Sequence, residues 1–154
     1  MSWFFLVKLI HILSAAVLFG TGAGIAFFMF MAWRNADPVG FLWVSRHVVI
    51  ADFLFTTTAV IVQPISGFAL IILGGHDPLA PWLLISYGLF IMVGICWLPV
   101  VAIQMKVRNL AGLAAGGDSQ AQQQIQSLMR RWFMLGWPAF IGVIGIYLLM
   151  VIKP

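Results

Sequence analysis

Glutamate is absent from this sequence, and its four acidic residues, Asp37, Asp52, Asp77 and Asp118, stand far apart. A carboxylate-bridged metal site needs clustered acids, so that chemistry is excluded. The single cysteine, Cys96, excludes an intramolecular disulfide and leaves no zinc or iron–sulfur pattern. No Ser/His/Asp set falls at one depth of the chain, and no glycine-rich strand-to-helix loop suggests a nucleotide. Charge is scarce as well. Charged residues make up 8% of the chain and hydrophobic ones 63%, whereas a soluble domain carries about 25% charged residues. A water-soluble fold of 154 residues could not bury that much apolar surface. The net charge of +4 comes from basic residues scattered at the ends of apolar runs, so no nucleic-acid patch is present. No basic segment precedes the first apolar run, and that run is too long for a signal-peptide core, which argues against a cleaved leader.

What remains is apolar and long. Four runs can each cross a bilayer, which takes about 20 helical residues. They are Trp3–Trp33, Val48–Leu73, Trp82–Val107 and Trp132–Ile152. Each is apolar all round and lacks period-two alternation, so helices are predicted rather than strands. The fold expected is an all-α bundle of four transmembrane helices in a single membrane domain, residues 1–154. Asp118-Ser119 looks like a helix cap, and Gln120–Gln126 is expected to extend helically through Arg131 into the fourth span.

Tryptophans mark the interfaces, with Trp3 and Trp82 at one and Trp33, Trp43, Trp132 and Trp137 near the other. Arg34, Arg46, Lys106, Arg108, Arg130 and Arg131 flank the first and third connections, and the second has no Lys or Arg. The positive-inside rule then places both termini outside, in the periplasm if the membrane is the inner (cytoplasmic) membrane of a bacterium.

The most informative stretch is Lys8-Leu-Ile-His11, followed by Gly20, Gly22 and Gly24. Lys8 and His11 are three residues apart and share a helix face within the first span. Ionisable groups at membrane depth usually point into the bundle. His11 is either a packing histidine or a haem or metal ligand. Lys8 either snorkels to the headgroups or pairs with an anionic group such as a propionate. From a rise of 1.5 Å per residue, His11 and His47 lie about 30 Å apart along the membrane normal, too far to share one cofactor.

The polar groups fall into two layers. The outer one holds Lys8, His11, Gln63 and Ser66, with Ser86, Tyr87 and Met150 at similar depth. The inner one holds His47, Asp52, Gln104, Lys106, Arg130 and Arg131, and a structural ion pair of Asp52 with Arg131 or Arg130 is expected. Pro64 and Gly67 permit a kink opposite His11. The glycines of the first span read as helix packing, with a slot for a flat ligand as the other reading.

The Lys8-x-x-His11 start resembles the first helix of the HemJ-type protoporphyrinogen oxidases and of the CopD-like copper-resistance membrane proteins. Pro64-Ile-Ser-Gly67, and Arg131-Trp-Phe133 followed by Pro138 and the closing Lys153-Pro154, resemble the same group. Over all four spans the chain is similar to a bacterial family known only as predicted integral membrane proteins of unknown function. The HemJ resemblance implies haem b at His11, with Lys8 as the matching lysine. Two HemJ features are missing: Met134–Trp137 stands where an Asn-Glu pair is expected, and the third span has Ser86-Tyr87 but no lysine. The resemblance therefore implies a fold and a haem pocket, not protoporphyrinogen oxidation.

The function expected is a redox role with haem b in the outer half of the bundle. His11 is the axial ligand, and Lys8, Gln63, Tyr87 and Met150 are the candidate neighbours. The alternative is an accessory or transporter-like membrane subunit without a cofactor. Copper handling is the weakest reading, because outward-facing His, Met and Cys are scarce. The partners expected are the lipid bilayer, haem or another porphyrin, and a second copy or a membrane subunit; nucleic acid is not among them.

Overall fold

Helix caps and breakers divide the chain as its composition suggests. The computed structural model describes residues 2–35 and 37–153. Ala36, in the first connection, and Pro154, in the closing motif, lie outside them. The elements are α1 (Trp3–Arg34), α2 (Pro38–Ala51), a π-helical turn (Asp52–Thr56), α3 (Thr57–Gly74), α4 (Pro81–Ala115) and α5 (Ser119–Ile152). No strand occurs among the described residues. Four helices, counting Pro38–Leu73 as one, are long and apolar enough to cross a membrane. The protein is thus an all-α, multi-pass membrane protein.

Each helix end has a chemical cause. Asp37 accepts the backbone N–H of Val39, and Pro38 opens α2 where no N–H is needed. Gly75, at φ 63°, ends α3 in the left-handed region, with His76 N–H bonded to Ile71 O and Gly75 N–H to Ile72 O. The same paired bonds close α4: Asp118 N–H reaches Leu113 O and Gly117 N–H reaches Ala114 O, with Gly117 at φ 95°. Asp118 then caps α5 through Gln120 N–H and Ala121 N–H. The Gly/Ala-rich stretch after Val107 is therefore helix up to Ala115, and the third connection is short.

At 35 and 34 residues, α4 and α5 are each about 50 Å long, well beyond a hydrocarbon core of about 30 Å. They form an antiparallel hairpin that projects past the membrane. Its projecting part is sealed by Val107 and Ala111 against Ala121, Ile125 and Met129.

The second span starts at Pro38 rather than Val48 and is interrupted by the π turn, where Thr57 N–H bonds five residues back to Asp52 O. Such single-turn insertions recur at functional sites. α1 packs on α3 and on the α2–π segment, α4 packs along α5 and on α2, and α1 meets α5 only thinly. The apolar core, with Met29, Phe41, Val48, Val107 and Trp132 among its members, sits toward the end that carries the basic residues. Large apolar side chains such as Ile65, Ile72, Ile95 and Ile141 cover the outside, as contact with lipid requires.

Candidate functional site

One turn of α3 clasps His11. The Ser66 hydroxyl lies 2.8 Å from His11 Nδ1, 2.6 Å from Val62 O and 3.2 Å from Gln63 O. A hydroxyl has one proton. Spent on the Val62 carbonyl, it leaves Ser66 Oγ to accept from His11 Nδ1–H. The hydrogen-bond arrangement thus assigns the proton to Nδ1 and leaves Nε2 with a free lone pair. Gln63 Nε2 donates to His11 O at 2.8 Å and to Ser14 Oγ at 2.6 Å. Gly67 makes room for the ring, since a Cβ there would stand 3.3 Å from His11 Cε1. One turn further along α1, the Tyr147 hydroxyl of α5 donates to the carbonyl of Ala15.

The other expected neighbours are not drawn in. Lys8 and Tyr87 are exposed and Met150 is half-buried. None of the three hydrogen-bonds His11 among the described residues. The Gln63 amide nitrogen is not free for a ligand, because it donates to the His11 carbonyl and to the Ser14 hydroxyl. His47 turns back on its own helix, with Nδ1 bonded to Trp43 O at 2.8 Å and its ring against Trp43. His76 packs beside Gly74 and Trp82.

The expected ion pair of Asp52 with Arg131 does not form. Asp52 Oδ1 instead accepts from Trp97 Nε1 at 3.3 Å, and Oδ2 has no partner. The cause is helical phase. Ile125, Met129 and Trp132 share the inward face of α5 at spacings of four and three, which turns Arg130 and Arg131 outward, where both are exposed. Trp132, expected at the interface, is buried for the same reason.

The glycine face of α1 opens on a slot. Four aromatic contacts bridge α1 and α5 in two groups: Phe19 stacks on Phe140 with centroids 4.9 Å apart and also meets Tyr147, and Phe133 meets Phe30 edge-on at 5.4 Å and also Trp33. Between these bridges the lining is mostly small, Gly22, Ala23 and Ala26 with Gly136 and Ala139, interrupted by Ile25 and Trp137. A Cβ added at Gly22 or Gly136 would meet nothing within 4 Å. The resulting cavity measures about 330 Å³. A smaller one of about 90 Å³ shares Leu18, Thr56, Val93, Trp97 and Val143 with it and extends to Ala15, Gln63 and Tyr147. His11 lines neither cavity. Close helix packing lies elsewhere, at Gly142, where a Cβ would stand 2.7 Å from side-chain atoms of both Met92 and Val93.

Among the described residues, four buried side-chain atoms lack hydrogen-bond partners: Asp52 Oδ2, Thr56 Oγ1, Gln104 Oε1 and Trp132 Nε1. All four residues line the larger cavity. The sequence pattern points to no role for Thr56 or Trp97, places Gln104 only in the inner polar layer and puts Trp132 at the interface. A signal was present: Asp52, Thr56, Ala59, Gln63 and Ser66 recur at spacings of four and three, a largely polar stripe on the inward face of an otherwise apolar span.

A family model described as "Predicted integral membrane protein (DUF2269)" matches residues 5–154. No curated protein and no solved structure matches the chain significantly.

Proposed function

The chain belongs to the DUF2269 family of predicted integral membrane proteins, and from that premise we propose that it binds haem b through His11 and serves a redox role. The observation that carries this reading is the His11–Ser66 hydrogen bond. Histidines that bind metals generally donate their other ring N–H to an oxygen, which fixes the tautomer and raises the basicity of the ligating nitrogen. Ser66 does this for Nδ1, and Nε2 is the nitrogen left for iron. The donor's chemistry fits the group; neither cavity reaches His11, so the fit extends to the ligand and not to a formed pocket for the ring. Gln63 acts as a positioning residue through the backbone of His11, and Lys8, one turn outward on the same helix, is the cation available to a propionate. Haem, when bound, supplies one-electron transfer. The resemblance to HemJ-type and CopD-like proteins supports the reading, while the missing acidic and lysine groups leave protoporphyrinogen oxidation unassigned. The basic residues favour termini on the periplasmic side of a bacterial inner membrane.

The test is the visible spectrum of the protein purified in detergent after expression with ample haem, before and after dithionite. A Soret band that shifts on reduction is expected, lost in His11→Ala and kept in His47→Ala. A colourless wild-type protein overturns the reading. The second reading, a cofactor-free accessory subunit, draws on the exposed amides of Gln122, Gln123 and Gln124 on the projecting part of α5. A stoichiometric membrane partner, co-purifying with a colourless protein, is the result expected of it.

A further inference from the structure

We propose that the slot between α1 and α5 binds the head group of a membrane-soluble quinol or quinone. This inference does not rest on haem at His11.

At about 330 Å³, the cavity falls within the range of small-molecule sites, roughly 300–1,000 Å³. Its walls are apolar and rich in flat side chains, with Phe19, Phe140, Trp97, Trp132 and Phe133 around the small residues that open it. Its polar component is specific. Asp52, Thr56, Gln104 and Trp132 are 4%, 5%, 2% and 5% exposed; Asp52 and Thr56 lie one turn apart with their polar groups facing each other, whereas Gln104 Oε1 and Trp132 Nε1 have no partner among the described residues. Buried polar atoms without partners are costly, and more so in an apolar medium.

Three occupants can be weighed on that chemistry. A lipid acyl chain fills the volume but leaves Gln104 Oε1 and Trp132 Nε1 unpartnered. Water can pair with them, but the cavity greatly exceeds the ~30 Å³ share of one water, and most of its wall offers no hydrogen bond. An aromatic ring with oxygen substituents fills the apolar volume and can pair with Trp132 and with one of the acceptors. Its carbonyl or hydroxyl oxygen accepts from Trp132 Nε1, and a quinol O–H donates to Gln104 Oε1 or Asp52 Oδ2. All four residues line the cavity while the unpartnered atoms themselves are buried, so a guest pairs with them only as those side chains turn toward it. Access from the bilayer runs between the two aromatic bridges, where the facing side chains are smallest.

The experiment is a titration of the detergent-purified protein with a decyl-tailed benzoquinone, and with its quinol, read by quenching of tryptophan fluorescence. Trp97, Trp132 and Trp137 line the cavity. Saturable quenching is expected for the wild type. Gly136→Leu and, independently, Gly22→Leu fill open space and should weaken binding at least about tenfold while the protein stays monodisperse and helical. Gln104→Leu removes one hydrogen-bonding group and should weaken it about fivefold to tenfold. His11→Ala should leave the titration unchanged, and Gly136→Leu should leave any Soret band unchanged, so this site and the haem site can fail separately. Linear quenching that is the same in wild type and Gly136→Leu means partition into the micelle and overturns the proposal. So does equal competition by decanol, which would make the occupant an alkyl chain.

Discussion

Ser66 Oγ lies 2.8 Å from His11 Nδ1 and 2.6 Å from its own helix carbonyl at Val62, so one serine both bonds its helix and fixes the proton of a histidine on another. Removing that hydroxyl should leave the bundle intact but free the imidazole. Ser66→Ala is expected to weaken haem binding about tenfold or more, as loss of a ligand's supporting partner does elsewhere. Haem titration of the apoprotein, read at the Soret maximum, measures it. An unchanged affinity would remove Ser66 from the site.

Asp52 offers a contrast between two partners. Trp97 Nε1 donates to it, whereas Arg131 is exposed. Trp97→Phe takes away the indole N–H that donates to a buried carboxyl group and should lower stability by about 1–3 kcal/mol. Arg131→Ala should change it by less than about 0.5 kcal/mol, as surface substitutions do. Denaturation in mixed detergent micelles compares the two, and a large loss in Arg131→Ala would restore the ion pair expected from sequence.

Two glycines of α5 should respond oppositely to an added side chain. At Gly142 a Cβ would stand 2.7 Å from Met92 Cε and Val93 Cγ2, whereas at Gly136 it meets open space. Gly142→Leu is expected to cost about 1–3 kcal/mol through overpacking of the α4–α5 contact. Gly136→Ala is expected to be neutral or stabilising, by up to about 1 kcal/mol, through helix propensity. Thermal unfolding followed by circular dichroism distinguishes them; equal losses would mean that α5 is rotated relative to α1.

Asp118 accepts two backbone N–H groups at the start of α5. Asp118→Ala should destabilise that helix end by about 0.5–2 kcal/mol. Hydrogen exchange should rise at Gln120, Ala121 and Gln122 and stay unchanged beyond Trp132. No change at Gln120 and Ala121 would contradict the cap.

These contrasts show what could be read from the chain. Hydropathy and breakers were enough for four helices, because backbone satisfaction in lipid leaves little else. Depth arithmetic put His11, Gln63 and Ser66 in one layer, and hydrogen bonds join them. Depth along a helix does not, however, set its rotation. Arg131 and Trp132 have nearly the same depth, and only the packing phase of α5 shows that the tryptophan faces inward. Nor does a small-residue face reveal whether its partner touches it. Gly22 looks like a packing glycine in sequence, but the Phe19–Phe140 and Phe30–Phe133 bridges hold α5 away from it. The Asp52 π turn escaped for a related reason, since its residues are ordinary helix members and the insertion is set by tertiary packing.

The central claim, that His11 Nε2 is an iron ligand, is tested most directly by chemical rescue. His11→Ala protein is loaded with haem and titrated with free imidazole while the reduced and oxidised spectra are recorded. A lost or shifted Soret band is expected in the variant, with recovery of the wild-type spectrum as imidazole occupies the vacated position. A full wild-type spectrum in His11→Ala without imidazole would contradict ligation by His11.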